Sequence, residues 1–94
     1  MTNYNARVHV ALRPGIADPQ GQTIERALPA LGYEGISGVR VGKLIEFELQ
    51  AEDAGDAQSR VGEMCERLLA NTVIESYTVD ISSRGSHDRI EEEA

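Results

Sequence analysis

The first periodic stretch of the chain, Arg7-Val8-His9-Val10-Ala11-Leu12-Arg13, puts Val8, Val10 and Leu12 on one face and Arg7, His9 and Arg13 on the other. A period of two with one apolar face predicts a half-buried strand. Pro14-Gly15 ends it. Asp18-Pro19 then predicts a helix start, with Asp18 as N-cap and Pro19 at the first helical position, where no N–H is required. Ile24, Ala27, Leu28 and Leu31 follow at helical spacing as one apolar stripe. Pro29 lies inside that stripe, so it kinks the helix or ends it somewhere between Ala27 and Gly32. From Ile36 to Leu49, Val39 and Val41 alternate before Gly42-Lys43, and Ile45, Phe47 and Leu49 alternate after it. This predicts two strands joined by a type II′ hairpin turn. Glu52, Asp53 and Asp56 place negative charge at the start of a second helix. Its stripe is Ala57, Val61, Met64, Cys65 and Leu68, and Asn71 is placed to close it in a left-handed conformation. Tyr77, Val79 and Ile81 alternate with Thr78 and Asp80 in a last strand.

The order strand, helix, strand, strand, helix, strand predicts an α+β fold of the ferredoxin-like βαββαβ kind. It is a two-layer sandwich with a four-stranded antiparallel sheet in spatial order 4-1-3-2 and both helices on one face. The uncovered face then sets Arg7, His9 and Arg13 between Thr78 and Asp80 on one side and Glu46 and Glu48 on the other, with Arg40 beyond. Such cross-strand pairs contribute roughly 0.2–1 kcal/mol each. Residues 1–81 read as a single domain. Residues 82–94, polar and carrying Glu91-Glu92-Glu93, read as a disordered acidic tail.

Composition narrows the partners. Nine Lys and Arg against 16 Asp and Glu give a net charge of −7, which repels phosphate backbones and anionic lipid, so neither nucleic acid nor membrane is expected. No apolar run approaches the ~18 residues of a membrane span. The start Met1-Thr2-Asn3-Tyr4-Asn5 has neither the basic nor the apolar part of a signal peptide, so a cytoplasmic location is expected. With one Phe, three Tyr and no Trp in 94 residues, the core is aliphatic and small, and oligomerisation is the natural remedy. A single Cys excludes an internal disulfide, and His9 and His87 are too few and too far apart for a metal site within one chain.

Candidate chemistry is sparse. No His and carboxylate stand at a spacing that implies a triad, and Val41-Gly42-Lys43 lacks the rest of a phosphate-binding loop. Cys65 reads as a packed, inert thiol and His9 as a solvated or salt-bridged strand residue. Three features go further. Gly21 in the first turn of a helix costs up to ~1 kcal/mol relative to Ala, which points to another backbone approaching there. Arg40 and Lys43 project two cations from an acidic chain. The run from Leu68 to Glu75 has more apolar side chains than one stripe can bury, so some of Leu69, Val73 and Ile74 face another chain.

The strings Asp18-Pro19-Gln20-Gly21, Leu31-Gly32-Tyr33, Val39-Arg40-Val41-Gly42-Lys43, Met64-Cys65-Glu66-Arg67-Leu68-Leu69-Ala70-Asn71 and Val73-Ile74-Glu75 with Tyr77 together resemble the PurS family. These are the small subunits of phosphoribosylformylglycinamidine (FGAM) synthase. The resemblance runs from about Ala6 to Ile81; Pro29, Thr72 and the acidic extension depart from the family pattern. It implies a noncatalytic part of an ATP- and glutamine-dependent C–N ligase of purine biosynthesis. A glutaminase subunit releases ammonia, and a large synthetase subunit uses ATP and Mg to activate formylglycinamide ribonucleotide. The small subunit bridges the two, assists ammonia transfer and binds no cofactor itself. A homodimer or tetramer is implied as the working unit. Strand edges together with Leu69, Val73 and Ile74 are the expected self-interface, and Asp18, Gln20, Arg40, Lys43, Asn71 and Glu75 the expected contacts with partners. The alternative reading is a dimeric small-molecule-sensing regulatory domain with its ligand near Pro14-Gly15. An RNA-binding module of the same topology would need aromatics on the central strands, where this chain has Arg7, His9, Arg13, Glu46 and Glu48.

Overall fold

In a computed structural model, residues 1–83 are described. They form β1 (Thr2–Leu12), α1 (Pro19–Ala30), β2 (Gly42–Ala51), α2 (Ala54–Met64) with a π-helical turn at Cys65–Leu69, and β3 (Glu75–Ser83). Ser82 and Ser83 thus belong to β3, and the remainder of the expected acidic tail lies outside the described residues. Among the described residues no helix is long and apolar enough to cross a membrane.

The sheet is antiparallel in the order β2-β1-β3, which is the 3-1-4 portion of the expected arrangement. Val8 stands opposite Ile45 and Val79, and Arg7 opposite Glu46 and Asp80. The two faces separate as the alternation predicts. Ala6, Val8 and Val10 are buried on the inner face, flanked by Ile45, Phe47, Leu49, Tyr77, Val79 and Ile81. On the other face Arg7 Nε lies 2.9 Å from Glu46 Oε2, and His9 Nδ1 lies 3.9 Å from Asp80 Oδ2.

Two parts of the expectation are corrected. Residues 36–41 form no strand, and Gly42-Lys43 is no hairpin turn. The amides of Val39 and Val41 donate to carboxylates of α1 and its cap, Val39 to Glu25 Oε1 at 3.0 Å and Val41 to Asp18 Oδ2 at 2.9 Å. These oxygens stand where a neighbouring strand would. Gly42 is already in β2, opposite Ala11 and without a left-handed φ. Glycine is needed there because a Cβ would lie 2.6 Å from the Val10 carbonyl oxygen. The second correction concerns the helices. Only α2 packs on the sheet. The chain runs straight from residues 36–41, here called the arm, into β2, and α1 goes with the arm. Of its residues only Gly21 is buried; Ile24 and Leu31 are 40% and 72% exposed.

Helix α1 begins as the sequence predicts, with Asp18 Oδ1 accepting from the Gly21 amide at 3.0 Å. It ends one residue beyond Pro29, where the amides of Gly32 and Tyr33 return to the carbonyls of Pro29 and Leu28. Helix α2 is capped reciprocally: Asp53 Oδ1 accepts from the Asp56 amide and Asp56 Oδ2 from the Glu52 amide. Its buried face is Ala57, Val61 and Cys65. The expected stripe fails beyond that point because the Ala70 amide bonds to the Cys65 carbonyl, five residues back. The additional residue in this turn brings Leu69 and Ala70 to the core and leaves Leu68 81% exposed. Asn71 has no left-handed φ either. Its side-chain oxygen accepts from the Val73 amide, and its carbonyl accepts from the amides of Ile74 and Glu75, so it organises the turn into β3.

Candidate functional site

An open cleft of about 450 Å³ lies at the end of the sheet where α1 begins. Val10 and Leu12 of β1 are in its lining with Val41, Gly42 and Lys43, and the start of α1 supplies Asp18, Pro19 and Gln20; Glu75 comes from β3. Four of the six residues expected at partner contacts therefore line one cleft: Asp18, Gln20, Lys43 and Glu75. The other two adjoin it. Arg40 donates from Nη2 to the Leu12 carbonyl at 2.8 Å and lies 3.7 Å from Asp18 Oδ2 through Nε. The Asn71 amide donates to Glu75 Oε1 at 2.7 Å.

Asp18 holds this end together. The sequence marks it as a cap, and the structure gives its second oxygen to the arm, so one carboxylate ties the start of α1 to the start of β2. Gly21 is glycine because a Cβ would stand 2.5 Å from Asp18 Oδ2 and 2.7 Å from the Val39 carbonyl oxygen. The backbone whose approach Gly21 permits is the arm. The amides of Val41 and Gly21 hold the Asp18 carboxyl below its ordinary range, burial works against them, and the Arg40 guanidinium adds to the lowering. A depressed folded-state value means that this contribution is complete above the ordinary carboxylate range and is lost as pH falls through the depressed value. In an acid titration followed by amide NMR, the Gly21 and Val41 signals should move together below the ordinary Asp range. In Asp18→Asn this joint transition should be absent; its persistence would show that another group holds the arm.

Both Asp18 oxygens are used within the chain, which leaves Gln20, Lys43 and Glu75 as the polar groups offered to a visitor around an apolar floor. Lys43 makes no ion pair among the described residues. The three residues expected at the self-interface sit nearby but differ in setting. Leu69 packs on the core, Val73 is 81% exposed, and Ile74 is half-buried with its carbonyl accepting from the Arg13 amide. Arg13 and Glu25 are additions from the structure. The Arg13 guanidinium donates twice to the Thr72 carbonyl and clamps the turn before β3 onto the end of β1. Glu25 lies two helical turns beyond Asp18, and that spacing, matched to alternate amides of an extended segment, is the signal that could have marked it.

Cys65 is fully buried, and its thiol is pushed up by desolvation and by Glu66, so nothing activates it. The Tyr77 hydroxyl donates to Glu66 Oε2 at 2.7 Å, and that bond raises the phenol. Among the described residues no three metal-ligating side chains converge.

The chain as a whole is similar to proteins already known. The family model PurS, described as phosphoribosylformylglycinamidine (FGAM) synthase, matches residues 5–83. The FGAM synthase subunit PurS of Mycobacterium leprae is 52% identical over 79 residues, covering 84% of this chain and 96% of that one. That of Synechocystis is 46% identical over 81 residues, 86% of this chain and 81% of its own length. Among solved structures, a chain of PurLQS from Thermotoga maritima superposes with a TM-score of 0.80 at 35% identity, covering 87% of this chain and all of that one. PurS of Methanocaldococcus jannaschii, one of the subunits of formylglycinamide ribonucleotide amidotransferase, gives 0.78 at 36% identity over 86% and 98% of the two chains. With a family match spanning nearly all the described residues, and relatives alike along most of their length, this chain belongs to the PurS family of FGAM synthase subunits.

Proposed function

We propose that this PurS chain works as a homodimer that holds the glutaminase and the ATP-dependent synthetase of FGAM synthase in register and assists the passage of ammonia between them. The observation that carries this reading is the likeness to a chain of PurLQS from Thermotoga maritima over that chain's whole length. ATP, Mg²⁺ and glutamine are bound by the partners, and none by this chain. Its own contribution is geometric. Ammonia that reaches water is protonated, and ammonium has no lone pair to attack the activated amide, so a closed interface between the two enzymes protects the intermediate. The cleft with Gln20, Lys43 and Glu75 suits polar contact with a partner's surface. In the assembled protein the fourth strand position beside β2, and the second helix position on the inner face, are filled, which completes the 4-1-3-2 sheet.

Reconstitution tests this. Glutaminase and synthetase are purified, and product formation is measured with glutamine or with free ammonia, each with and without this chain. Glutamine-dependent synthesis is expected to fall to the level of a glutamine-free control without it, while ammonia-dependent synthesis changes far less. Equal coupling of glutamine hydrolysis to synthesis in its absence would overturn the reading.

A further inference from the structure

We infer that the cleft at the end of the sheet is a binding site for a free α-amino acid with an uncharged side chain, its carboxylate set on Lys43 and its ammonium on Glu75. This goes beyond the bridging role and does not depend on it, since one chain supplies the whole lining.

The first ground is where the two charges stand. Residues directly opposite each other in a sheet point to the same face. Lys43 is opposite Val10 and Glu75 is opposite Leu12, so both charges lie on the inner face of the sheet, with the apolar row of β1 between them. The positions that follow on that face are apolar, Ile45, Phe47 and Leu49 on β2 and Tyr77, Val79 and Ile81 on β3. One positive and one negative side chain thus break the alternation that shields the core, at the same end of the sheet and in the lining of one cleft.

The second ground is that these charges are not spent on each other. Lys43 and Glu75 form no ion pair among the described residues. Glu75 takes the Asn71 amide on Oε1, which leaves its other oxygen for a visitor. Asp18, the other carboxylate of the lining, has both oxygens on amides and Arg40 close by.

The third ground is the balance of charge. A plain anion would meet two carboxylates in a chain of net charge −7. A plain cation would meet Lys43, with Arg40 adjoining. A ligand carrying both charges answers each side and leaves neither unpaired beside apolar surface, which is the costly arrangement. Its side chain covers Val10, Leu12 and Val41, while the Gln20 amide at the rim can both donate and accept. The volume of about 450 Å³ lies within the roughly 300–1,000 Å³ of small-molecule sites.

Titration of the ¹⁵N-labelled full chain tests the site. L-Alanine, L-valine, L-leucine and L-glutamine are added in turn, and the amide signals are followed by NMR. Those of Gln20, Val41, Gly42 and Lys43 should shift saturably with at least one of the four, with a dissociation constant of ~1 mM or tighter. Those of Asn3 and Tyr4, at the opposite end of the sheet, should stay still. The N-acetyl derivative of the tightest binder has no ammonium and its carboxamide has no carboxylate; each should bind at least about tenfold more weakly. Lys43→Gln and Glu75→Gln should each weaken the parent amino acid by a similar factor, and glutamine at 75 keeps an oxygen for the Asn71 amide. The derivatives are tested on the unaltered chain, so that arm stands if a variant fails to fold. No saturable shift with any of the four overturns the proposal, as do equal shifts at Asn3 and Tyr4. Derivatives that bind as tightly as their parent overturn it too, since the cleft would then be reading apolar surface alone. The reconstitution assay judges the bridging role independently of all these outcomes.

Discussion

Replacing Gly21 by alanine lowers stability by about 1–3 kcal/mol, whereas the same replacement at Gly62 raises it by about 0.5–1 kcal/mol. The two glycines both lie in helices, and what surrounds them decides the sign. At Gly62, inside α2, a methyl group meets nothing within 4 Å, so only the backbone entropy of glycine is removed. At Gly21 the methyl group meets Asp18 Oδ2 at 2.5 Å and the Val39 carbonyl oxygen at 2.7 Å. The carboxylate is pinned by two amides and the carbonyl belongs to the backbone of the arm, so one of the two has to move. Thermal denaturation reads the difference, at roughly 4–8 °C for each kcal/mol in a domain of this size. Hydrogen exchange locates it: the Val39 and Val41 amides of Gly21→Ala should exchange faster, while those of β1 in the centre of the sheet are the least affected. A Gly21→Ala protein with unchanged midpoint and unchanged exchange at these two amides would show that the arm is not packed on α1.

Short-range patterns carried most of the fold. The alternation in β1, β2 and β3 is legible because each strand has one buried and one solvated face, and the register that follows puts Arg7 between Glu46 and Asp80. The helix starts are legible because Asp18 and Asp53 do local work on amides three residues ahead. What failed to show is of another kind. Gly42 carries the same letter whether it turns a hairpin or lets a strand approach the Val10 carbonyl. The stripe of α1 announces an apolar face but not which sheet covers it. Asn71 suits a left-handed closure and a side-chain-capped turn equally, and here it takes the second. At the candidate site Asp18 is recognisable as a cap, but its hold on Val41 spans 23 positions and leaves no local trace. Arg13 is hidden for the same reason, since it acts on backbone 59 positions along the chain.

The core explains why so much of this protein looks outward. Its buried apolar residues are Ala6, Val8, Val10, Ala51, Ala57, Val61, Cys65 and Ala70, and half of these are alanines. The larger side chains are elsewhere: Ile45, Phe47 and Leu49 are half-covered on β2, and Ile24, Leu31 and Tyr33 are exposed on and after α1. A chain that leaves its larger apolar groups in half-covered positions needs an additional surface to bury them, because a small domain has little stability in reserve. The polar hold of Asp18 and Glu25 on the arm then sets the geometry in which those groups are presented.

Val61→Ala is expected to lower stability by about 2 kcal/mol, and Leu68→Ala by no more than ~0.5 kcal/mol, although the helical period puts both on one stripe. Val61 is fully buried between α2 and β1. Its truncation loses about 0.8 kcal/mol for each buried methylene-sized group and leaves a cavity that relaxes only in part. Leu68 is 81% exposed because the π-helical turn from Cys65 to Leu69 rotates it away from the core, so its removal falls in the range of ordinary surface substitutions. Denaturant midpoints of the two variants at one protein concentration separate these cases, since linked dimerisation would otherwise shift both. Equal losses would mean that the helix continues with α-helical geometry through Leu68 in solution. A near-silent Leu68→Ala that nevertheless weakens binding to the glutaminase or synthetase would give the turn a purpose: the residue it expels from the core would then be a side chain the complex uses.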